Sequence, residues 1–254
     1  MHAVTDRLPP RARQRLFQAL SPLAALWPQL ANLLRGVTKP SSSASTERRV
    51  QRPPSDGPVT TWQIEILRSS SDFAERARTA RSLTSAASGE ALAALAAALR
   101  DRSVEVAVEA ALALGYHNRE MAVPVLRDVV EGGDGYFNPI VRAAAIRSLG
   151  MLLPQGHGDV LVGAVSSVDG EVSIAAIATL IERGEPKSAI KLLEVLEDRS
   201  GFYLAVVRKA AAEGLSTLGF HDDTRLRPLM EAETDADISR TLNALVNRAS
   251  RPLF

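Results

Sequence analysis

The residues able to do chemistry are few and scattered. Histidines stand only at His2, His117, His157 and His221. A zinc or di-iron site needs His-x3-His or Glu-x-x-His spacing on one helix face, and neither occurs. Gly132, Gly133 and Gly135 precede no Lys-Ser or Lys-Thr, so they read as turn glycines rather than a phosphate loop. No nucleophile elbow or dinucleotide fingerprint is present. Asp222, Asp223, Asp235 and Asp237 read as turn and capping acids. Cysteine is absent, which removes thiolate catalysis, disulfides and Cys-ligated metals. Binding chemistry remains. Tyr136-Phe137 and Phe202-Tyr203 each follow a glycine and recur 66 positions apart, using four of the chain's eleven aromatics. Rings with a polar tip are favoured interface anchors. The same rings could instead fold over helix ends and seal a core.

The elements that must carry these rings are repeats. Leu83, Leu114, Leu149, Leu180, Leu215 and Leu245 step by 31, 35, 31, 35 and 30. A period in this range means one supersecondary unit stacked on copies of itself. Each unit reads as helix A, a turn, then helix B. Val141, Ala145 and Leu149, like Val207, Ala211 and Leu215, step by four along one buried face. The A helices show Val123, Leu126 and Val130, then Ile190, Leu193 and Leu196. Gly115, Gly150 and Gly219 stand where a left-handed residue can end helix B. Pro124 and Pro228 suit the first turn of an A helix. The alternating period places four extra residues in the A–B turns of repeats three and five, and the aromatic pairs lie there. Both pairs must then project from one edge, about 20 Å apart if packed layers are about 10 Å apart.

The net charge of +1 hides an asymmetry: residues 1–55 hold nine Lys and Arg against two acids, 9 − 2 = +7, leaving 1 − 7 = −6 for the rest. Residues 1–36 form a basic arm. Arg11, Arg13 and Arg15 precede a stripe of Leu16, Leu20, Leu23, Trp27, Leu30 and Leu34, which lies along one side of a helix bent or restarted at Pro22 and Pro28. The stripe suits a cap on the first repeat, a membrane surface or a protein partner; Trp and Arg favour the headgroup zone. Residues 37–60 are a Pro/Ser-rich linker. Residues 61–254 are the array. The interrupted apolar stretch makes a poor signal peptide and no span of the membrane is long enough. A cytoplasmic protein, attached to a membrane or a larger complex, is expected.

Val141-Arg142-Ala-Ala-Ala-Ile-Arg-Ser-Leu149-Gly150 and Val207-Arg208-Lys-Ala-Ala-Ala-Glu-Gly-Leu215 resemble short bacterial HEAT-like repeats of the phycobilisome-lyase type. Asp101, Asp134, Asp169, Asp198 and Asp235 occupy the turns where that family carries an acid. The family's arginine is present at Arg142 and Arg208, whereas repeats two and four have Ala107 and Ser173. The resemblance implies an all-α fold, a right-handed α-solenoid of about six helix pairs, with turn acids and helix-B arginines forming ladders between neighbours. It implies no cofactor and no metal.

The function expected is a non-catalytic scaffold or adaptor that binds protein partners, with Tyr136, Phe137, Phe202 and Tyr203 as candidate contacts and the arm as a tether. The alternatives are an accessory or lyase-type factor for chromophore attachment, and a HEAT-like nucleic-acid-binding glycosylase. The acidic body argues against gripping a nucleic-acid backbone.

Overall fold

A computed structural model describes residues 59–249, apart from residues 87, 118, 133–136, 155 and 186. The arm (residues 1–36), nearly all of the linker and Tyr136 therefore lie outside the described residues. Every described element is helical. The first three pairs are α1 (Val59–Ser69) with α2 (Phe73–Ser82), α3 (Gly89–Ala98) with α4 (Val104–Leu114), and α5 (Arg119–Glu131) with α6 (Pro139–Leu152). Then come α7 (Asp159–Ala164) with α8 (Gly170–Arg183), α9 (Ser188–Glu197) with α10 (Ala205–Leu218), and α11 (Asp223–Glu231) with α12 (Ala236–Ala249). These are the six pairs that the leucine spacing predicts. The array starts two residues early, at Val59.

All six marker leucines are buried. They join alanines and valines in one continuous core along the array. Each B helix from α2 to α12 packs directly on the next, whereas the A layer is closely packed only from α1 to α7. Alanine makes the tighter side possible, because small side chains let helix axes approach. Closer stacking on one side bends the array, so the B helices line its inner face.

Three expectations change. Gly219 is left-handed, with φ 69°, but Gly115 and Gly150 are right-handed helical residues. Their smallness serves packing between repeats: a Cβ on Gly115 would lie 2.5 Å from Met151 Cε, and one on Gly150 would lie 2.3 Å from Thr179 Cγ2. Pro124 and Pro228 sit inside α5 and α11, each sixth in its helix, rather than in the first turn. Both rings face solvent, so the backbone bond they forgo is lost on the wet side. Ile190 is exposed; the buried face of α9 is Leu192, Leu193, Val195 and Leu196. A run stepping by three drifts around the helix, so its first member slips off the core face.

Candidate functional site

Neighbouring repeats meet through two kinds of joint, and the two alternate. Arg76, Arg142 and Arg208 stand 66 residues apart, each seven before its marker leucine. Arg76 Nε and Nη2 donate to the two Asp101 oxygens, both at 2.8 Å, tying repeat one to repeat two. Arg142 Nη1 donates to Asp169 at 2.9 Å, tying three to four. Its Nε and Nη2 donate to the Val130 carbonyl at 3.2 and 2.8 Å. Arg208 donates to Glu233 at 2.5 Å, tying five to six. Burial pushes the Asp101 carboxyl up, but hydrogen bonds from Arg76 and the Ser103 N–H outweigh it and hold the group below its ordinary range. The ladder expected at Arg142 and Arg208 is present. Arg76 was not legible because Glu75 precedes it in place of valine, and the last acceptor is Glu233 rather than Asp235.

Repeats two and four carry Ala107 and Ser173 where the arginine would stand. At those junctions the long turns reach back. Seven residues separate Glu131 from Pro139, and seven separate Glu197 from Ala205, against five in the turns of repeats two and four. Phe137, only 8% exposed, holds the Arg100 guanidinium 4.9 Å from its ring centre. The Tyr203 hydroxyl shares a hydrogen bond with Ser166 Oγ at 2.9 Å. Arg100 and Ser166 are themselves 66 residues apart. The second ring of each aromatic pair thus braces the preceding repeat.

The first ring behaves differently. Phe202 is 49% exposed and stands edge-on to Tyr203, with ring centres 4.9 Å apart and planes at 89°. Leu204, Val206 and, in the turn of repeat four, Val168 are exposed around it; Val168 is 83% exposed. Leu204 lies over Gly170, whose Cβ would come 3.2 Å from its Cδ1. Asp198 fixes the backbone of this turn by accepting from Ser200 N at 3.2 Å and Ser200 Oγ at 2.6 Å. The result is a small apolar surface on the A–B edge. Tyr136 matches Phe202 in sequence but lies outside the described residues, as do Arg11, Arg13, Arg15 and the Leu/Trp stripe of the arm.

Two charged clusters escaped the sequence reading. On the inner face Arg147 lies between Tyr116 and Glu182. Desolvation by the crowded helices pulls Arg147 below its ordinary value and pushes the Glu182 carboxyl up, even though that side chain is open to solvent, and their mutual attraction only partly offsets this. At the end of α8, Arg183 donates to the carbonyls of Gly150, Leu153 and Pro154 at 2.6, 3.0 and 2.8 Å and pairs with Glu185, which accepts from Gly156 N at 3.1 Å. This clamp ties the B–A turn of repeat three to repeat four, and its partners are too far apart in sequence to suggest themselves.

Among the described residues, no group of three or more His, Cys, Asp or Glu could hold a metal ion. No helix among them is long and apolar enough to cross a membrane.

Among solved structures, an engineered protein matches at 18% identity and TM-score 0.45, covering 76% of this chain and 97% of its own. A designed armadillo repeat protein in complex with a (KR)4 peptide matches at 17% and 0.45, covering 74% and 98%. The CpcE–CpcF complex of phycocyanin lyase from Nostoc sp. PCC7120 matches at 22% and 0.36, covering 81% and 100%. No curated protein matches the sequence. The family description for HEAT repeats matches residues 60–137 and 134–216, more than half of the chain. With six stacked helix pairs, buried marker leucines and arginine–acid rungs between repeats, the chain belongs to the HEAT-repeat family.

Proposed function

We propose that the protein is a non-catalytic scaffold whose A–B edge takes an elongated protein segment across repeats four and five. The observation that carries this is the exposed set Phe202, Leu204, Val206 and Val168, held on a turn that is itself pinned to the preceding repeat through Tyr203. A rigid apolar surface binds with little ordering cost. The complementary segment presents apolar side chains to this edge. Phe137 and Tyr203 support the surface rather than form it. The basic arm, with Arg11, Arg13, Arg15 and the Leu/Trp stripe, then attaches the scaffold to an anionic membrane or to a larger complex.

The test compares proteins captured from native lysate by the full chain and by its Leu204→Asp variant, with Ile190→Asp as a control on the opposite layer. Loss of at least tenfold of specific partners with Leu204→Asp alone supports the reading, since a hot-spot residue is worth about 1–4 kcal/mol. Equal capture by all three chains overturns it. Sedimentation with phosphatidylserine vesicles tests the arm: Leu23→Asp with Leu30→Asp abolishes binding if the arm meets lipid. A chain that never binds vesicles but still captures partners points to a complex as the attachment.

A further inference from the structure

An open groove of about 930 Å³ lies on the A-helix side between α1 and α3. Its apolar part is Trp62, Ile66 and Ala93; Glu65 and Glu90 lie at its sides. Trp62 is 53% exposed and Ala93 is exposed as well. Among the described residues no helix precedes α1, so this face lacks the neighbour that every later A–A junction in the first four repeats has. A stacked array leaves its end faces apolar unless something polar on its outer side covers them.

We propose that this groove is the berth of the chain's own N-terminal arm. The occupant is argued from three facts. The arm's stripe of Leu16, Leu20, Leu23, Trp27, Leu30 and Leu34 is an apolar surface that soluble proteins do not leave bare. Residues 1–55 carry 9 − 2 = +7, opposite in sign to Glu65 and Glu90, with Arg68 the one basic group along the groove. The chain between the arm and α1, residues 37–58, is 22 residues long. At about 5–6 Å × √n it spans about 26 Å, beyond the roughly 16 Å length of α1 itself. The arm therefore reaches the groove without strain. Short flexible linkers hold their ends at about millimolar effective concentration. A contact worth only about 0.1 mM as a separate peptide is then occupied about nine-tenths of the time. The stripe that attaches the scaffold elsewhere is the stripe that docks here, so attachment competes with berthing. This inference goes beyond the scaffold reading and stands or falls separately from it.

The chain has two tryptophans and no cysteine, which makes the test direct. In the full chain carrying Trp62→Phe, Trp27 is the sole indole. The berth requires its emission to be blue-shifted relative to the urea-unfolded chain and unchanged on tenfold dilution. It also requires Ala93→Glu with Glu90→Arg, both at exposed positions, to shift the emission red while the melting temperature stays put. A second measurement does not depend on Trp62: Leu23→Cys or Leu30→Cys forms a disulfide with Ala93→Cys on mild oxidation, and neither does so with Ser200→Cys. Emission like that of the unfolded chain overturns the proposal, as does emission indifferent to the groove variants. Concentration-dependent emission overturns it too, by assigning the stripe to a second copy. If the arm also meets lipid, freeing it with Ala93→Glu strengthens vesicle binding about tenfold, because a fraction of about one-tenth free becomes fully free. Vesicle binding that the groove variant leaves unchanged keeps the tether and removes the berth.

Discussion

Tyr203 hands its hydroxyl to Ser166 of the preceding repeat at 2.9 Å, at the place where Phe137 holds Arg100 one unit earlier. The two contacts occupy equivalent positions and stand at the junctions that lack an arginine rung. An aromatic turn and an arginine therefore do the same work in alternate repeats. The difference between them is what the remaining ring of each pair is free to do.

That division predicts three unlike outcomes from one motif. Phe137→Ala removes a buried ring and lowers stability by about 3 kcal/mol, within the range for aromatic truncations in a core. Tyr203→Phe loses one exposed hydrogen bond and costs about 0.5–1 kcal/mol. Phe202→Ala changes stability by less than about 0.5 kcal/mol, as surface substitutions do. Urea unfolding of the three variants checks the order; a Phe202→Ala loss as large as that of Phe137→Ala contradicts it.

The rungs are predicted to matter more than ordinary surface pairs. Arg142 makes hydrogen bonds to Asp169 and to the Val130 carbonyl from a largely covered position. Arg142→Met leaves both acceptors without their charged donor and costs about 2–3 kcal/mol. Arg240→Met, which breaks an exposed pair with Asp237, costs no more than about 0.5 kcal/mol. Melting curves of the two variants distinguish them.

Gly150 is predicted to be a contact residue, not a helix stop. Gly150→Ala places a methyl against Thr179 Cγ2 and destabilises by about 1–3 kcal/mol despite alanine's better helix propensity. Thr179→Ser in the same chain deletes the obstructing methyl and returns part of the loss. A double-mutant cycle reads this coupling; purely additive effects would refute it.

His117 predicts a pH response in a defined window. Its Nε2 lies 3.0 Å from the Leu83 carbonyl, and partial burial draws its ionisation below the ordinary 6.5, only partly countered by that carbonyl. A depressed value in a base means that the unfolded chain binds the extra proton first. This contribution is therefore complete above about pH 6.5 and shrinks as pH falls below it, levelling off below the folded-state value. Asp101 shows the corresponding loss only at the acid end, below about pH 4, where the unfolded carboxyl protonates. Stability measured at pH 7 and pH 5.5 should differ in the parent chain and differ less in His117→Gln.

Leucine spacing, helix pairing and the position of the long turns were legible because each depends on residues near one another in sequence. The direction of each ring was not. Phe137 and Tyr203 turn inward because Arg100 and Ser166 wait 37 residues away, and no local pattern marks those partners. The same holds for Gly150, whose constraint is a methyl on the next repeat, and for the clamp that Arg183 makes on three carbonyls of the preceding turn. Arg76 was obscured by one changed neighbour, Glu75. The exposed set at Leu204 and Val206 was hidden because a single apolar residue at a helix start looks like core until its surroundings are known.

The alternation of joints also fixes how such a chain can be lengthened or shortened. Excising one repeat would set a helix without an arginine against a turn built to receive one, or an arginine against a turn already filled by a ring. Excising 66 residues rejoins like with like. The heritable unit is thus two helix pairs rather than one, and relatives of different length should differ by whole pairs of repeats.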